Sequence, residues 1–450
     1  MISMKLSEAA ESLHSVYLGQ DVEFSGCSTD SRKVNKGELF IALKGEHFDG
    51  HNFLKDAKQC GACAVMVEKA DEQYLPMIVV ENTRQAMGKL AEYWRTGFDV
   101  PLVAITGSNG KTTVKEMLVS ILRLKAPVLA TQGNLNNDIG VPLTLFGLGN
   151  EHQYAVVEMG ANHPGEIAWL SRIARPNVAL ITQCAPAHLE GFGSIEGVAN
   201  AKAEIYEGMD QDGIAIINAD DAYAELWRKK IKGFSQLSFG LEQPADVSAK
   251  SISQSAYRGK SDFILMTPSG STNISLPMLG KHNVINALAA ATCAIGLNID
   301  LTLMKCGLEN MTVVKGRLET KSGLNNSCII DDTYNANPAS LAAALSVVSS
   351  FKGRHWLVLG DMGELGPDSV AMHARAGIAA RETGIERLYA TGPLCRVAVE
   401  SFGNDAQHFA DIKQLIEKLR TEITSDVTVL IKGSRAMQME RVVKILEANS

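Results

Sequence analysis

The residues best suited to chemistry lie in one run, Thr106-Gly107-Ser108-Asn109-Gly110-Lys111-Thr112-Thr113. Its glycines let backbone N–H groups close around phosphate oxygens, and a helix starting after them adds the favourable field of its amino terminus. The Lys111 ammonium would reach terminal phosphates and the Thr112 hydroxyl would ligate Mg²⁺. Gly107, Ser108, Asn109, Gly110, Lys111, Thr112 and Thr113 are therefore candidate contacts for a nucleoside triphosphate such as ATP. The run is shorter than the usual phosphate loop, whose first glycine would fall at Ile105, inside the preceding strand. A plain strand-to-helix turn is the alternative, but a turn alone has no need of Gly-Lys-Thr-Thr.

Two more side chains fall where a cation bridging phosphate oxygens would collect ligands. Glu158 ends Val156-Val157-Glu158, and His188 sits in Ala185-Pro186-Ala187-His188-Leu189-Glu190-Gly191. Each lies just past an apolar run, and together they offer an oxygen and an imidazole. Either alone is unremarkable; beside a phosphate loop on the same sheet edge they become candidate metal ligands. Lys202, in Asn200-Ala201-Lys202-Ala203-Glu204, reads on sequence alone as a solvated helix lysine. The eight cysteines include one close pair, Cys60 and Cys63, with no matching second pair. They read as free packing thiols rather than a zinc site or disulfide frame.

The elements that must position these groups follow from apolar patterning. Buried strands are expected over 102–106, 154–158, 178–182 and 213–217, with a helix over 111–124, the alternation of a parallel sheet covered on both faces. Before them come short strands over 38–43 and 77–80, an amphipathic helix over 83–95 and a linker over 97–101. From about Val313 the alternation resumes: strands over 328–331, 356–359 and 427–431, helices over 338–351 and 371–382, then a closing helix. The chain of 450 residues exceeds a single core at roughly 150 residues per domain. The expected fold class is α/β with three domains: a small α/β amino-terminal domain (1–98), a central phosphate-loop ATPase domain with a parallel sheet (99–312), and a carboxyl-terminal Rossmann-like domain (313–450).

Net charge of −7 without a basic block disfavours nucleic acid or an anionic membrane as partner. The first ten residues lack the apolar core of a signal peptide, and no window holds about 18 apolar residues. A soluble, cytoplasmic protein is expected.

Several segments together resemble the Mur ligase family, which builds the peptide stem of bacterial cell-wall precursors. They are the phosphate loop, Gly133-Asn134-Leu135-Asn136-Asn137-Asp138-Ile139-Gly140, Glu158-Met159-Gly160-Ala161, His188-Leu189-Glu190-Gly191-Phe192-Gly193-Ser194, Ala201-Lys202-Ala203-Glu204-Ile205, Gly280-Lys281-His282-Asn283-Val284-Ile285-Asn286-Ala287, Lys315-Gly316-Arg317 and Asp331-Asp332-Thr333-Tyr334-Asn335-Ala336-Asn337-Pro338. The last of these is most similar to members that complete the stem. This resemblance implies an ATP- and Mg²⁺-dependent peptide ligase, a monomer, acting on UDP-N-acetylmuramoyl-tripeptide and D-alanyl-D-alanine through an acyl phosphate. It implies that Lys202 is carbamylated and helps bind a second Mg²⁺ with Glu158 and His188, placing Lys111, Lys202 and His188 in the catalytic set. It also implies that Asn283 holds adenine, Arg317 approaches the terminal phosphates and Asp332 holds ribose, with Asn286 and Tyr334 nearby. Taken alone, Asn283 and Asn286 could equally cap or line a helix. Gln183 departs from the asparagine common at its position, keeping the same hydrogen-bonding groups on a longer stem.

Ser28-Thr29-Asp30-Ser31-Arg32 resembles the part of the family that receives the UDP end, so Ser31 and Arg32 are candidate contacts; a surface turn is the alternative. Asp361-Met362-Gly363-Glu364-Leu365-Gly366 and Lys432-Gly433-Ser434-Arg435 follow strands where a dipeptide could bind or where the chain simply turns. His373 reads as structural. Domain closure about a hinge at 312–315 is expected, because water would hydrolyse an acyl phosphate. Two rival readings are a folylpolyglutamate-type ligase, which the amino-terminal domain argues against, and a non-catalytic nucleotide-dependent binding protein.

Overall fold

The computed structural model describes residues 1–46, 48–70, 75–186 and 189–448. At its centre six parallel strands run in the order Ser235–Phe239, Ile214–Asn218, Val178–Ile181, Leu102–Thr106, Tyr154–Glu158, Val128–Ala130. Leu102–Thr106 is buried at every position, as a strand covered on both faces must be. The chain places its next strands on one side of Leu102–Thr106 and the later ones on the other. The crevice beyond this strand's carboxyl end is therefore the sheet's topological switch point, where ligands bind in such sheets. Lys111–Arg123 and Lys281–Gly296 cover one face. Three antiparallel strands, Ser248–Ser255, Lys260–Thr267 and Gly270–Leu276, extend this domain; they were not among the expected elements, although Phe263, Leu265, Ile274 and Leu276 alternate inward.

The other face of the central sheet is covered by Gly140–Phe146, Glu166–Ala174 and the short turn Glu204–Gly208, and the amino-terminal domain packs on these helices. There a five-stranded sheet, ordered Val16–Leu18, Met77–Val79, Ala64–Val67, Leu39–Ile41, Cys27–Ser28, supports the helix Thr83–Thr96. Asn82 caps this helix by accepting the Gln85 N–H. It lies so close to Glu166–Ala174 that a Cβ on Gly88 would come within 2.0 Å of the Trp169 ring. One apolar cluster runs unbroken from Ile2, Leu39 and Leu90 to Leu102, Ala155 and Ile181. Buried Arg95 tightens the joint, donating to the carbonyls of Phe98 (2.6 Å), Val100 (3.0 Å) and Ala174 (3.0 Å).

The carboxyl-terminal domain has its own six-stranded sheet, ordered Glu319–Ser322, Cys328–Asp332, Val427–Lys432, Arg354–Gly360, Arg387–Thr391, Ala406–Phe409, all parallel except the first. Separate apolar clusters fill its two faces. The helix expected over 338–351 ends at Val348, where the Ser349 and Ser350 hydroxyls turn back onto carbonyls of the last turn. Two strands at one end of the sheet, Arg387–Thr391 and the edge strand Ala406–Phe409, were not foreseen. Among the described residues no helix is long and apolar enough to cross a membrane.

Candidate functional site

The phosphate loop leaves Leu102–Thr106 and enters Lys111–Arg123 without an intervening turn. Gly107 (φ 150°) and Gly110 (φ 84°) hold backbone conformations that side chains disfavour. A Cβ would meet Thr182 Oγ1 at 1.8 Å in the first case and Asn286 Oδ1 at 2.5 Å in the second. The loop is braced from the neighbouring strand's end: Ser108 N–H donates to Gln183 O, Ser108 Oγ–H to Ala185 O, and Thr182 Oγ1–H to Asn109 O. Lys111 Nζ donates to Gly107 O at 2.7 Å, folded back over the loop. Burial lowers its pKa, Glu158 opposes that shift, and the Arg317 guanidinium adds to it.

Register sets Glu158 opposite Ile105, level with the start of the loop. Its carboxylate accepts the Thr112 hydroxyl (2.9 Å) on one oxygen and the Asn136 amide (2.8 Å) on the other. Its own N–H donates to Thr131 Oγ1, and Thr131 O accepts the buried Lys115 ammonium. Asn136 and Thr131 received no role from sequence reasoning. The available signal was the cluster Asn134, Asn136, Asn137 in a glycine-flanked segment. Lys202 is buried at 3% exposure, and its amine is pushed down to about 7, first by burial and then by Lys111, with Cys184 acting in the opposite sense. The solvated lysine read from sequence alone is thus corrected: packing of Ile195–Ala203 takes it out of water. His188 lies outside the described residues.

The carboxyl-terminal domain rests its own side chains on this loop. Arg317 Nη2 donates to Thr112 Oγ1 at 3.1 Å while its guanidinium lies 4.3 Å above the Tyr334 ring. Asn337 both caps Pro338–Val348 and donates to Asn109 Oδ1 at 2.7 Å. Asp332 accepts the Leu318 N–H and pairs with buried Lys432. Asn283, 3% exposed, donates to Leu279 O and accepts from Asn286, so both stand at the start of Lys281–Gly296 beside Gly110. Three buried polar atoms at this junction have no partner among the described residues: Thr106 Oγ1, Asn109 Nδ2 and Arg317 Nε. Such atoms are costly unless something supplies the missing bonds.

Ser31 and Arg32 stand apart from this cluster. Ser31 is buried, but Arg32 points to solvent and is held by both Asp30 oxygens at 2.9 Å, which draws the Asp30 carboxyl down to about 2. The two carboxyl-terminal turns do meet, through Ser434 N–H to Asp361 O. His373 is fully buried, one ring nitrogen facing Ser369 O and the other accepting the Met362 N–H, as a structural residue would be.

A phosphate loop at a switch point, with a second α/β domain resting on it, defines a three-domain member of the phosphate-loop class. Family models match in three consecutive stretches: "Mur ligase family, catalytic domain" over 23–95, "Mur ligase middle domain" over 105–294, and "Mur ligase, glutamate ligase domain" over 316–435. The UDP-N-acetylmuramoyl-tripeptide--D-alanyl-D-alanine ligase of Escherichia coli K12 is 43% identical over 100% of this chain and 99% of its own. A MurF crystal structure from Acinetobacter baumannii superposes with TM-score 0.93 at 37% identity, covering 99% of this chain and 98% of that one. MurF ligase from Thermotoga maritima in complex with ADP gives 0.83 at 28%, covering 93% and 96%. The chain belongs to the Mur ligase family.

Proposed function

We propose that the protein is an ATP-dependent ligase that joins D-alanyl-D-alanine to UDP-N-acetylmuramoyl-tripeptide, yielding the pentapeptide precursor of peptidoglycan, ADP and phosphate. The observation that carries the reading is the polar junction itself: a glycine cradle, a folded-back Lys111, and three unsatisfied buried polar atoms contributed by two domains. Triphosphate oxygens supply the partners these groups lack. The names of the relatives above supply the substrate pair.

In this reading the tripeptide's terminal carboxylate attacks the γ-phosphorus, the bond to the β-phosphate oxygen breaks, and an acyl phosphate forms. The dipeptide amine then attacks the acyl carbon, and phosphate leaves with the bonding pair. Lys111 and Arg317 stabilise charge on the transferring group. Asn283 and Asn286 border the adenine, Asp332 receives ribose hydroxyls and Tyr334 supports Arg317. Ser31 and Arg32 meet the UDP end.

Mg²⁺ suits the donor set. Thr112 Oγ1 and Glu158 Oε2 stand 2.9 Å apart, the edge of an octahedron whose oxygens lie about 2.0–2.1 Å from the ion. Thr112 and Glu158 would hold one ion, and Glu158, His188 and carbamylated Lys202 a second; when bound the two would neutralise charge on the phosphoryl oxygens. We place the domain boundaries at 98/99 and 312/313, with the last domain closing about 312–315 over the substrates. Unchanged domain angles in solution scattering with all ligands bound would reject closure. The setting we assign is cytoplasmic and the working unit a monomer.

The test is phosphate release from ATP. It should require both UDP-tripeptide and D-alanyl-D-alanine and be lost in Lys111→Ala. Release without the dipeptide, or a Lys111→Ala enzyme at the parental rate, would overturn the assignment.

A further inference from the structure

Lys432 is a buried cation at the domain junction that the reading above leaves without a role. It ends the strand Val427–Lys432, and the parallel register sets it directly beside Asp332 on Cys328–Asp332. Only 1% of it is exposed. Its ammonium pairs with Asp332 Oδ2 and donates to Asn335 O at 2.9 Å. Keeping an ammonium out of water carries a desolvation cost that an apolar side chain of similar length would avoid.

The neighbours show what this ion pair controls. The second Asp332 oxygen accepts the Leu318 N–H, so two elements fix the carboxylate plane, and each oxygen retains a lone pair for a further donor. The segment held through Asn335 carries Tyr334, which underlies Arg317, and Asn337, which bonds Asn109 of the phosphate loop. Immediately after Lys432 the chain enters the turn whose Ser434 N–H reaches Asp361 O. From the central domain, His282 faces both partners. Burial foremost, with the Lys432 charge adding and Asp332 opposing, holds its imidazole down to about 4, so at neutral pH it is uncharged and leaves Asp332 to the lysine.

We propose that Lys432 is a positioning residue for nucleotide recognition, its ammonium orienting the Asp332 carboxylate toward the ribose hydroxyls and holding the segment 333–337 against the phosphate loop. The inference rests on Asp332 as the ribose acceptor. Lys432 itself touches no nucleotide in this scheme.

The experiment measures ADP and 2′,3′-dideoxy-ADP binding to the full-length protein by calorimetry, for the parent, Asp332→Asn, Lys432→Met, Lys432→Gln and Lys432→Arg. The parent should prefer ADP by about tenfold or more, the worth of one or more charge-assisted hydrogen bonds. Asp332→Asn should bring the ratio close to one. Lys432→Met should do the same although Asp332 is intact, and Lys432→Arg should restore part of the preference. Lys432→Gln, which keeps a donor, serves if the methionine variant fails to fold and should at least halve the preference. A lysine that serves stability alone would lower the melting temperature and leave the ratio unchanged, which overturns the proposal. Loss of preference in Asp332→Asn with full preference in the foldable Lys432 variants overturns this inference alone. A parent without preference, or an Asp332→Asn protein that keeps it, removes the ribose assignment and this inference with it.

Discussion

Replacing Arg317 by methionine separates catalysis from folding. Among the described residues this guanidinium makes one hydrogen bond, to Thr112 Oγ1, and stacks 4.3 Å above Tyr334, and its Nε is buried with no partner. Methionine keeps most of the stem, so the lost fold stability is the stacking, about 0.5–1 kcal/mol, plus a bond whose acceptor still has Glu158 as a partner. In the transition state the account changes. A guanidinium spending Nε and a second N–H on γ-phosphoryl oxygens contributes about 3 kcal/mol, at about 1.5–3 kcal/mol per charge-assisted bond. That corresponds to about a 100-fold fall in kcat. The assay is coupled phosphate release with saturating UDP-tripeptide and dipeptide, alongside urea unfolding and ADP calorimetry. The expected pattern is a kcat loss near 100-fold, a smaller loss in ADP affinity and an almost unchanged unfolding midpoint. A variant within fivefold of the parental kcat would refute the claim that the idle Nε awaits a phosphoryl oxygen.

Three other substitutions probe the remaining parts of the junction. Lys202→Ala should lose nearly all activity and regain part of it with added short carboxylic acids, and full activity without them would rule out a carboxylate-bearing Lys202. Gly110→Ala places a methyl group 2.5 Å from Asn286 Oδ1 at φ 84°, a strain of about 1–2 kcal/mol; calorimetry should find ADP binding about tenfold weaker, and parental affinity would contradict the cradle. Arg95→Met strands the carbonyls of Phe98, Val100 and Ala174, to which the guanidinium makes its shortest bonds, costing about 3–5 kcal/mol at about 1–1.5 kcal/mol each, read as a lowered first unfolding midpoint in urea. A loss under 1 kcal/mol would mean that water replaces the arginine.

Legibility in the sequence tracked the physics of each element. Leu102–Thr106 and Tyr154–Glu158 were found to the residue, because strands buried on both faces are continuous apolar runs ending at polar loop residues. Ser248–Leu276 escaped because its first strand is half-exposed and rich in serine, although Phe263, Leu265, Ile274 and Leu276 alternate inward on the other two. Within the site, the phosphate loop was readable because its function is encoded in consecutive residues. Partnerships made by folding were not: Asn337 meets Asn109 across 228 positions and Lys432 meets Asp332 across 100, and no local pattern announces either. Ser31 and Arg32 sit on a turn whose appearance in the free protein is set by Asp30, and their ligand contacts stay with the proposal.

The unbroken apolar cluster joining the first two domains has a metrical consequence. With this seam packed and braced by Arg95, the amino-terminal turn and Lys111 are held at one separation, and on the function proposed above a substrate meeting both would be gauged by its length. On that proposal a stem one residue short would leave its carboxylate adrift of the phosphate and a longer one would overshoot, so the welded pair of domains would work as a caliper for how much peptide has already been built.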